Sequence, residues 1–193
     1  MLCKVPTRTI MFFVLFLSMF NFNEWLEANR DQLKPPVSNK DLMPESDEYI
    51  VMVVGGPNAR KDYHVNETEE FFYQLEGTAV VKTQVDGKVV EHTLNAGDMF
   101  LCPANIPHSP GRMENSIGLV IERKRAGKGY LDGLAWYCDE CNHPLHGVRF
   151  ELQDIEKDFL PHFKHFYASE ELRTCDACGH IMETDPRFTS NED

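Results

Sequence analysis

Two histidines and a glutamate, His64, Glu70 and His108, lie in the stretch from Gly56 to Arg112, set among glycine and proline turns. Two neutral imidazoles and one carboxylate on one face of an ion leave the opposite face open. Non-haem Fe(II) oxygenases use this arrangement to bring a substrate and O2 together. The plainer alternative is a pair of loop histidines and a solvated strand glutamate. Glu69 and Glu70 are neighbours on a strand and must face opposite sides, so only one of them can be a ligand.

Arg60 and Arg112 each stand four residues from one of these histidines. Near an ion they could clamp a substrate carboxylate in bidentate fashion; otherwise they are surface arginines. Glu122 ends the apolar run Gly118-Leu119-Val120-Ile121 and shares the strand face of Val120. An inward carboxylate there is costly without a partner, which an arginine or a substrate amino group would supply.

A second constellation is sulfur-based. Of six cysteines, Cys138 and Cys141 form one C-x-x-C pair and Cys175 and Cys178 another. Outside a secretory context such pairs read as a metal site rather than a disulfide framework. Four thiolates in tetrahedral array suit Zn²⁺ or iron, and a closed shell of this kind leaves no coordination position for chemistry, so its part is to stabilise the fold.

The chain has 193 residues, 42% hydrophobic, with a formal charge of −12. That length supports one good core with a small appendage. The negative charge opposes binding to a phosphate backbone, so no nucleic-acid partner is expected. Residues 10 to 20 are continuously apolar behind Lys4 and Arg8, but the run is too short to cross a bilayer and no small-x-small cleavage pattern follows it. It reads as an N-terminal extension, with Met11 or Met19 as alternative starts, and the chain as cytoplasmic without stable membrane insertion.

The elements that must position these residues are mostly strands. A short helix is expected over Asn23 to Leu33, capped at Asn23 and stopped by Pro35 and Pro36. Tyr49–Val54, Glu70–Leu75, Thr78–Val85, Lys88–Leu94, Met99–Cys102 and Ile117–Glu122 are rich in β-branched and aromatic residues, with Asp86-Gly87 as a hairpin turn. This close spacing predicts one antiparallel barrel or sandwich. Beyond the Gly127/Gly129 connector come the cysteine pairs and a helical stretch from Asp154 to Phe166, interrupted by Pro161. The expected division is an extension (1–20), a barrel core (21–125), a four-cysteine segment packed on the barrel (126–182) and a tail (183–193).

Two motifs resemble the signatures of the cupin superfamily. Gly97, Pro103 and His108 follow the second motif, with Asn105 where glycine is usual and Arg112 where asparagine is usual. In the first, Asp62 takes the place of the customary leading histidine, which leaves a triad of ligands. More specifically, Phe22-Asn23-Glu24-Trp25, Val53-Val54-Gly55-Gly56-Pro57-Asn58, Asp62-Tyr63-His64, Glu69 to Leu75, Pro107-His108-Ser109-Pro110, Leu131-Asp132-Gly133, Trp136-Tyr137-Cys138 and Phe166-Tyr167-Ala168-Ser169 resemble the single-cupin 3-hydroxyanthranilate 3,4-dioxygenase family, over about residues 20 to 182.

The resemblance implies an all-β, jelly-roll cupin barrel with short flanking helices and a small C-terminal rubredoxin-like metal-binding segment. It implies catalytic Fe(II) on His64, Glu70 and His108, and a second iron or zinc on the four cysteines. By the same resemblance Arg60 and Arg112 take the substrate carboxylate, Glu122 meets its amino and hydroxyl side, and Asn39 is a loop residue near the pocket. The substrates implied are 3-hydroxyanthranilate and O2, and the assembly a homodimer. A metal-binding cupin that senses a small aromatic acid without turning it over is the competing reading.

Overall fold

The structure is a computed structural model describing residues 19–34, 39–154 and 157–189. The apolar run expected as an extension lies, up to residue 18, outside the described residues, as do Pro35 and Pro36. The chain falls into two compact units divided after Arg30. In the first, α1 (Phe22–Asn29) is capped by Asn21, whose side-chain oxygen accepts from the backbone N–H of Asn23 and Glu24. The cap precedes the expected Asn23 because Asn21 is the residue with extended backbone, free to turn its carboxamide over the first helical turn. Leu26 is its buried residue. A single 3-10 turn, Arg30–Leu33, follows.

The second unit is built on two antiparallel sheets. β1 (Asn39–Asp41), β2 (Tyr49–Gly55), β3 (Asp62–His64), β4 (Glu70–Glu76), β5 (Thr78–Val85), β6 (Lys88–Asn95), β7 (Met99–Cys102), β8 (His108–Arg112), β9 (Ile117–Arg123), β10 (Asp132–Tyr137) and β11 (Pro144–Phe150) follow in chain order. One sheet has the order β1-β2-β9-β4-β7 and the other β11-β10-β3-β8-β5-β6. This is the antiparallel cupin barrel that the sequence predicts. Its core comprises Phe72, Val81, Leu94, Cys102 and Val120, with Met52, Val54, Phe100 and Ile106 packed against them. Residues alternate in and out along each strand, so Glu70 and Gln74 share the inward face of Phe72, and Gly118 and Glu122 that of Val120.

The segment beyond residue 126 is more than a body packed on the barrel, because β10 and β11 extend the second sheet, β10 pairing with β3. After them come α2 (Leu160–Ala168), α3 (Glu170–Arg173) and α4 (Pro186–Thr189). Pro161 opens α2 rather than interrupting it, since a first-turn proline removes an N–H that has no helical acceptor. A second core joins Leu134, Trp136, Phe166, Tyr167 and Met182, with Trp136 and Phe166 stacked at 4.3 Å. The expected tail is ordered through α4, where Phe188 stacks on Phe163 at 4.6 Å. Residues 190–193 lie outside the described residues.

Candidate active site

Strand register brings the triad together. On β4, Glu70 stands opposite Cys102 of β7 and Glu122 of β9, while His64 of β3 stands opposite His108 of β8 in the facing sheet. One donor atom from each of His64, Glu70 and His108 lies within 4.8 Å of the others, and all three residues are buried. Glu70 Oε2 is 2.8 Å from His108 Nε2 and 3.5 Å from His64 Nδ1.

The remaining ring nitrogens are already engaged. His108 Nδ1 faces the Ile106 carbonyl at 3.0 Å, and His64 Nε2 faces Asp132 Oδ1 at 2.6 Å. Such outer contacts fix the tautomer and turn the other nitrogen toward an ion. Neutral imidazoles paired with a carboxylate, open on one side, are the donor set for a divalent metal such as Fe(II), and these residues fit it.

Among the protein groups alone, the triad behaves as a charged cluster. Burial lowers the pKa of both histidines, but Asp132 and Glu70 outweigh it at His64, and Glu70 with Cys102 outweighs it at His108, so both pKa values rise. Burial raises that of Glu70, yet the two imidazoles hold it well below the usual carboxylate range. Because a ligating imidazole must be neutral, a metal here competes with protons for these histidines.

Glu122 is buried, and its pKa is raised by that burial and by the facing Glu70. The partner its inward position demands is Arg125, absent from the sequence-predicted site. Arg125 Nη1 donates to Glu122 Oε2 at 2.8 Å, and its Nε donates to Asp132 Oδ2. Asn66 Nδ2 lies 3.2 Å from Glu70 Oε2 and 3.5 Å from Glu122 Oε2. A buried polar line thus runs from His64 through Asp132 and Arg125 to Glu122. Asp132 and Arg125 were missed for different reasons: Asp132 lies far along the chain from His64, and Arg125 ends a run of basic residues that reads as solvated.

Arg112 is 6% exposed, and no acidic residue among those described lies within ion-pair distance of it. Its Nη1 donates to Gln74 Oε1 at 3.2 Å, and burial draws its pKa down to about 10. Arg60 differs. Its guanidinium is paired with Asp62, the residue at the customary histidine position. Asn39, expected in a loop near the pocket, is an exposed residue of edge strand β1, opposite Val54.

The four cysteines also converge. Cys138 Sγ lies 3.6 Å from Cys178 Sγ and Cys141 Sγ 3.5 Å from Cys175 Sγ. Thiolates at tetrahedral corners, about 2.3 Å from an ion, stand roughly 3.8 Å apart; a disulfide would need about 2 Å. The donor set and its spacing therefore fit a tetrahedral metal. Each pair closes on a residue of positive φ, Asn142 at 60° and Gly179 at 76°. The Asn142 carboxamide exchanges two hydrogen bonds with Gln84 (2.8 and 2.9 Å) and donates to the Gly87 carbonyl in the β5–β6 turn.

Comparison with known proteins supplies the wider context. The profile of the 3-hydroxyanthranilic acid dioxygenase family matches residues 15–167. A 3-hydroxyanthranilate 3,4-dioxygenase of Xanthomonas campestris is 50% identical over 89% of this chain and 96% of its own. That of Bacillus thuringiensis is 47% identical over 86% and 92%. A solved cupin-2 domain protein from Shewanella frigidimarina superposes with a TM-score of 0.44 at 24% identity, covering 54% of this chain and 94% of that one.

Proposed function

The chain belongs to the 3-hydroxyanthranilic acid dioxygenase family, and from that premise we propose that its barrel interior is the site where 3-hydroxyanthranilate and O2 become 2-amino-3-carboxymuconate semialdehyde, the quinolinate precursor. Both oxygen atoms enter the product as the ring opens between carbons 3 and 4.

The observation that carries the reading is the buried convergence of His64, Glu70 and His108 with their outer nitrogens already held. Fe(II) on this triad supplies the redox chemistry that joins the aromatic ring to dioxygen. The chain's own residues bind and orient. Arg112 is buried with no carboxylate in ion-pair contact among the described residues, only the longer-range charge of Glu70, so a substrate carboxylate would supply its direct partner. Arg60 adds a second donor set, steadied by Asp62. Glu122 is anchored through Oε2 by Arg125 and Asn66, and its Oε1 is the atom that takes the substrate's hydroxyl proton.

The test is turnover. Fe(II)-loaded protein given 3-hydroxyanthranilate and air is expected to develop the near-ultraviolet absorbance of the semialdehyde, decaying as the product cyclises. Tight binding of the acid with no absorbance change would instead support the sensing alternative. The assignment of Arg112 has its own test, because a Cβ at Gly118 would stand 2.6 Å from Arg112 Nη1 and 2.8 Å from Gln74 Oε1. Gly118→Ala is expected to push the guanidinium aside and raise KM about tenfold, the cost of one charge-assisted hydrogen bond. An unchanged KM would remove Arg112 from the carboxylate site.

A second metal, iron or zinc, is proposed for the four cysteines on their spacing. A cytoplasmic homodimer follows from the family resemblance, and sedimentation tests the dimer. Among the described residues no helix is long and apolar enough to cross a membrane.

A further inference from the structure

The loop that carries Arg60 is held from the four-cysteine lobe at two separate points. Lys61 Nζ donates at 2.8 Å to Asp139 Oδ2, and Asp139 lies between the two cysteines of the first pair. Arg187 Nη2 donates at 3.0 Å to the carbonyl of Ala59, the residue before Arg60. Arg187 is itself fixed by a two-oxygen pairing with Asp185, and the segment it belongs to is pinned by Phe188, which lies against both Phe163 and Tyr167. Upstream, Met182 and Arg173 exchange hydrogen bonds, tying the same segment to the helix that leads into Cys175. The strand following the loop is bound likewise, with Asp62 opposite Trp136 just before Cys138.

At its start the loop is tied to the barrel, where Asn58 and Arg112 exchange two backbone hydrogen bonds. Among the described residues the side chain of Arg60 hydrogen-bonds Asp62, two residues away, and it also feels the charges of Glu70 and Arg187. That short pairing fixes the guanidinium relative to β3, while the backbone of 59–61, between the Asn58 bridge and β3, is held by the two ties from the lobe.

We infer that Lys61 and Arg187 are positioning residues for Arg60, through which the four-cysteine lobe sets the aim of a substrate-binding arginine. The inference deepens the proposed function and rests on Arg60 as a carboxylate clamp. The lobe thereby acts on substrate affinity as well as on fold stability, without a ligand or proton of its own in the reaction. Neither residue touches the triad, so metal retention and the chemical step are independent of them.

The experiment uses the full-length, Fe(II)-loaded protein with Lys61→Gln, Arg187→Gln and the double substitution. Both ties are partly solvent-exposed, so each single change is expected to raise the anaerobic 3-hydroxyanthranilate Kd only about two- to fivefold, and the double change about tenfold. Turnover at saturation should stay within about twofold of the unsubstituted protein, and iron per chain should be unchanged. Hydrogen exchange at residues 59–61 is expected to accelerate in the double variant, and Arg187→Lys to restore part of the affinity. Faster exchange with an unchanged Kd would overturn the inference, as would unchanged exchange. An equal fall in turnover and iron content would also overturn it, by showing a merely structural role. Arg60→Gln keeps the two failures apart. If Arg60→Gln leaves Kd unchanged, the clamp reading is what fails; if it weakens binding and the double variant does not, the positioning role alone fails.

Discussion

Replacing His108 with alanine is expected to abolish turnover and to empty the proposed Fe(II) site on dialysis while the metal proposed for the four cysteines stays bound. His108 is 2% exposed, and the Ile106 carbonyl holds its ring so that Nε2 faces Glu70. Alanine removes one of three donors, and with it the opposite-charge contact that keeps Glu70 ionised in a buried setting. Loss of an outer partner typically costs 10- to 100-fold in metal affinity, so loss of a donor should exceed about a hundredfold. Metal analysis after dialysis and the near-ultraviolet assay measure the two effects. Metal retained at the four cysteines, the second site proposed above, serves as an internal control that the chain is folded. A His108→Ala protein that keeps catalytic iron and turns over would end the assignment.

The second large effect concerns stability. Arg125→Met leaves Glu122 and Asp132 buried with no cation between them, since the arginine side chain is 0% exposed and bonds both carboxylates. Breaking a buried ion pair by removing one partner costs about 3–5 kcal/mol. At about 2–4 °C per kcal/mol for a domain of this size, the thermal midpoint should fall by roughly 6–20 °C. Arg123, two residues earlier, supplies the contrast. It is 54% exposed, with Glu48 at 3.7 Å and the Tyr49 ring as its side-chain contacts among the described residues. Arg123→Met should move the midpoint by no more than about 2 °C, in line with ordinary surface changes. Calorimetry on both variants checks the pair, and equal shifts would refute the special standing of Arg125.

Those two arginines also show what the chain makes legible. Strands built from β-branched and aromatic runs are readable because burial alternates along them. Thr78–Val85 and Met99–Cys102 have the predicted bounds, and the strands beginning at Tyr49, Lys88 and Ile117 each run one residue further. Strands β3 and β8 are not readable in that way. β3 is three residues long, and β8 contains Pro110 and Gly111, which local propensity counts against a strand. They form because β5 and β10 offer them ladders from distant parts of the chain.

The candidate site divides along the same line. The triad and Arg112 are visible as residue types at telling positions. By contrast, Arg123-Lys124-Arg125 reads as one solvated run, and only the turn after β9, with Lys128 N–H bonded to the Arg125 carbonyl at 3.0 Å, carries its last member into the interior. Asp132 was visible as a residue of a recognisable segment, but its contact with His64 spans 68 positions and has no local signature. Asn39, expected in a loop, is an exposed residue of the three-residue edge strand β1, which forms on the ladder that β2 offers.

The two cysteine loops look interchangeable on paper, yet only the first is fastened sideways. Asn142 accepts a left-handed backbone, an uncommon state for a residue with a side chain, while its carboxamide grips Gln84 and the Gly87 carbonyl. The corresponding Gly179 has nothing within 4 Å of where a side chain would begin. The first loop is therefore tied to the barrel, whereas the second is closed within its own lobe by the Thr174–Ile181 bridge and the Cys175 N–H bond to the His180 carbonyl. With Cys141 and Cys178 exposed and Cys138 and Cys175 buried, thiol-directed reagents should reach the outer thiol of each pair first.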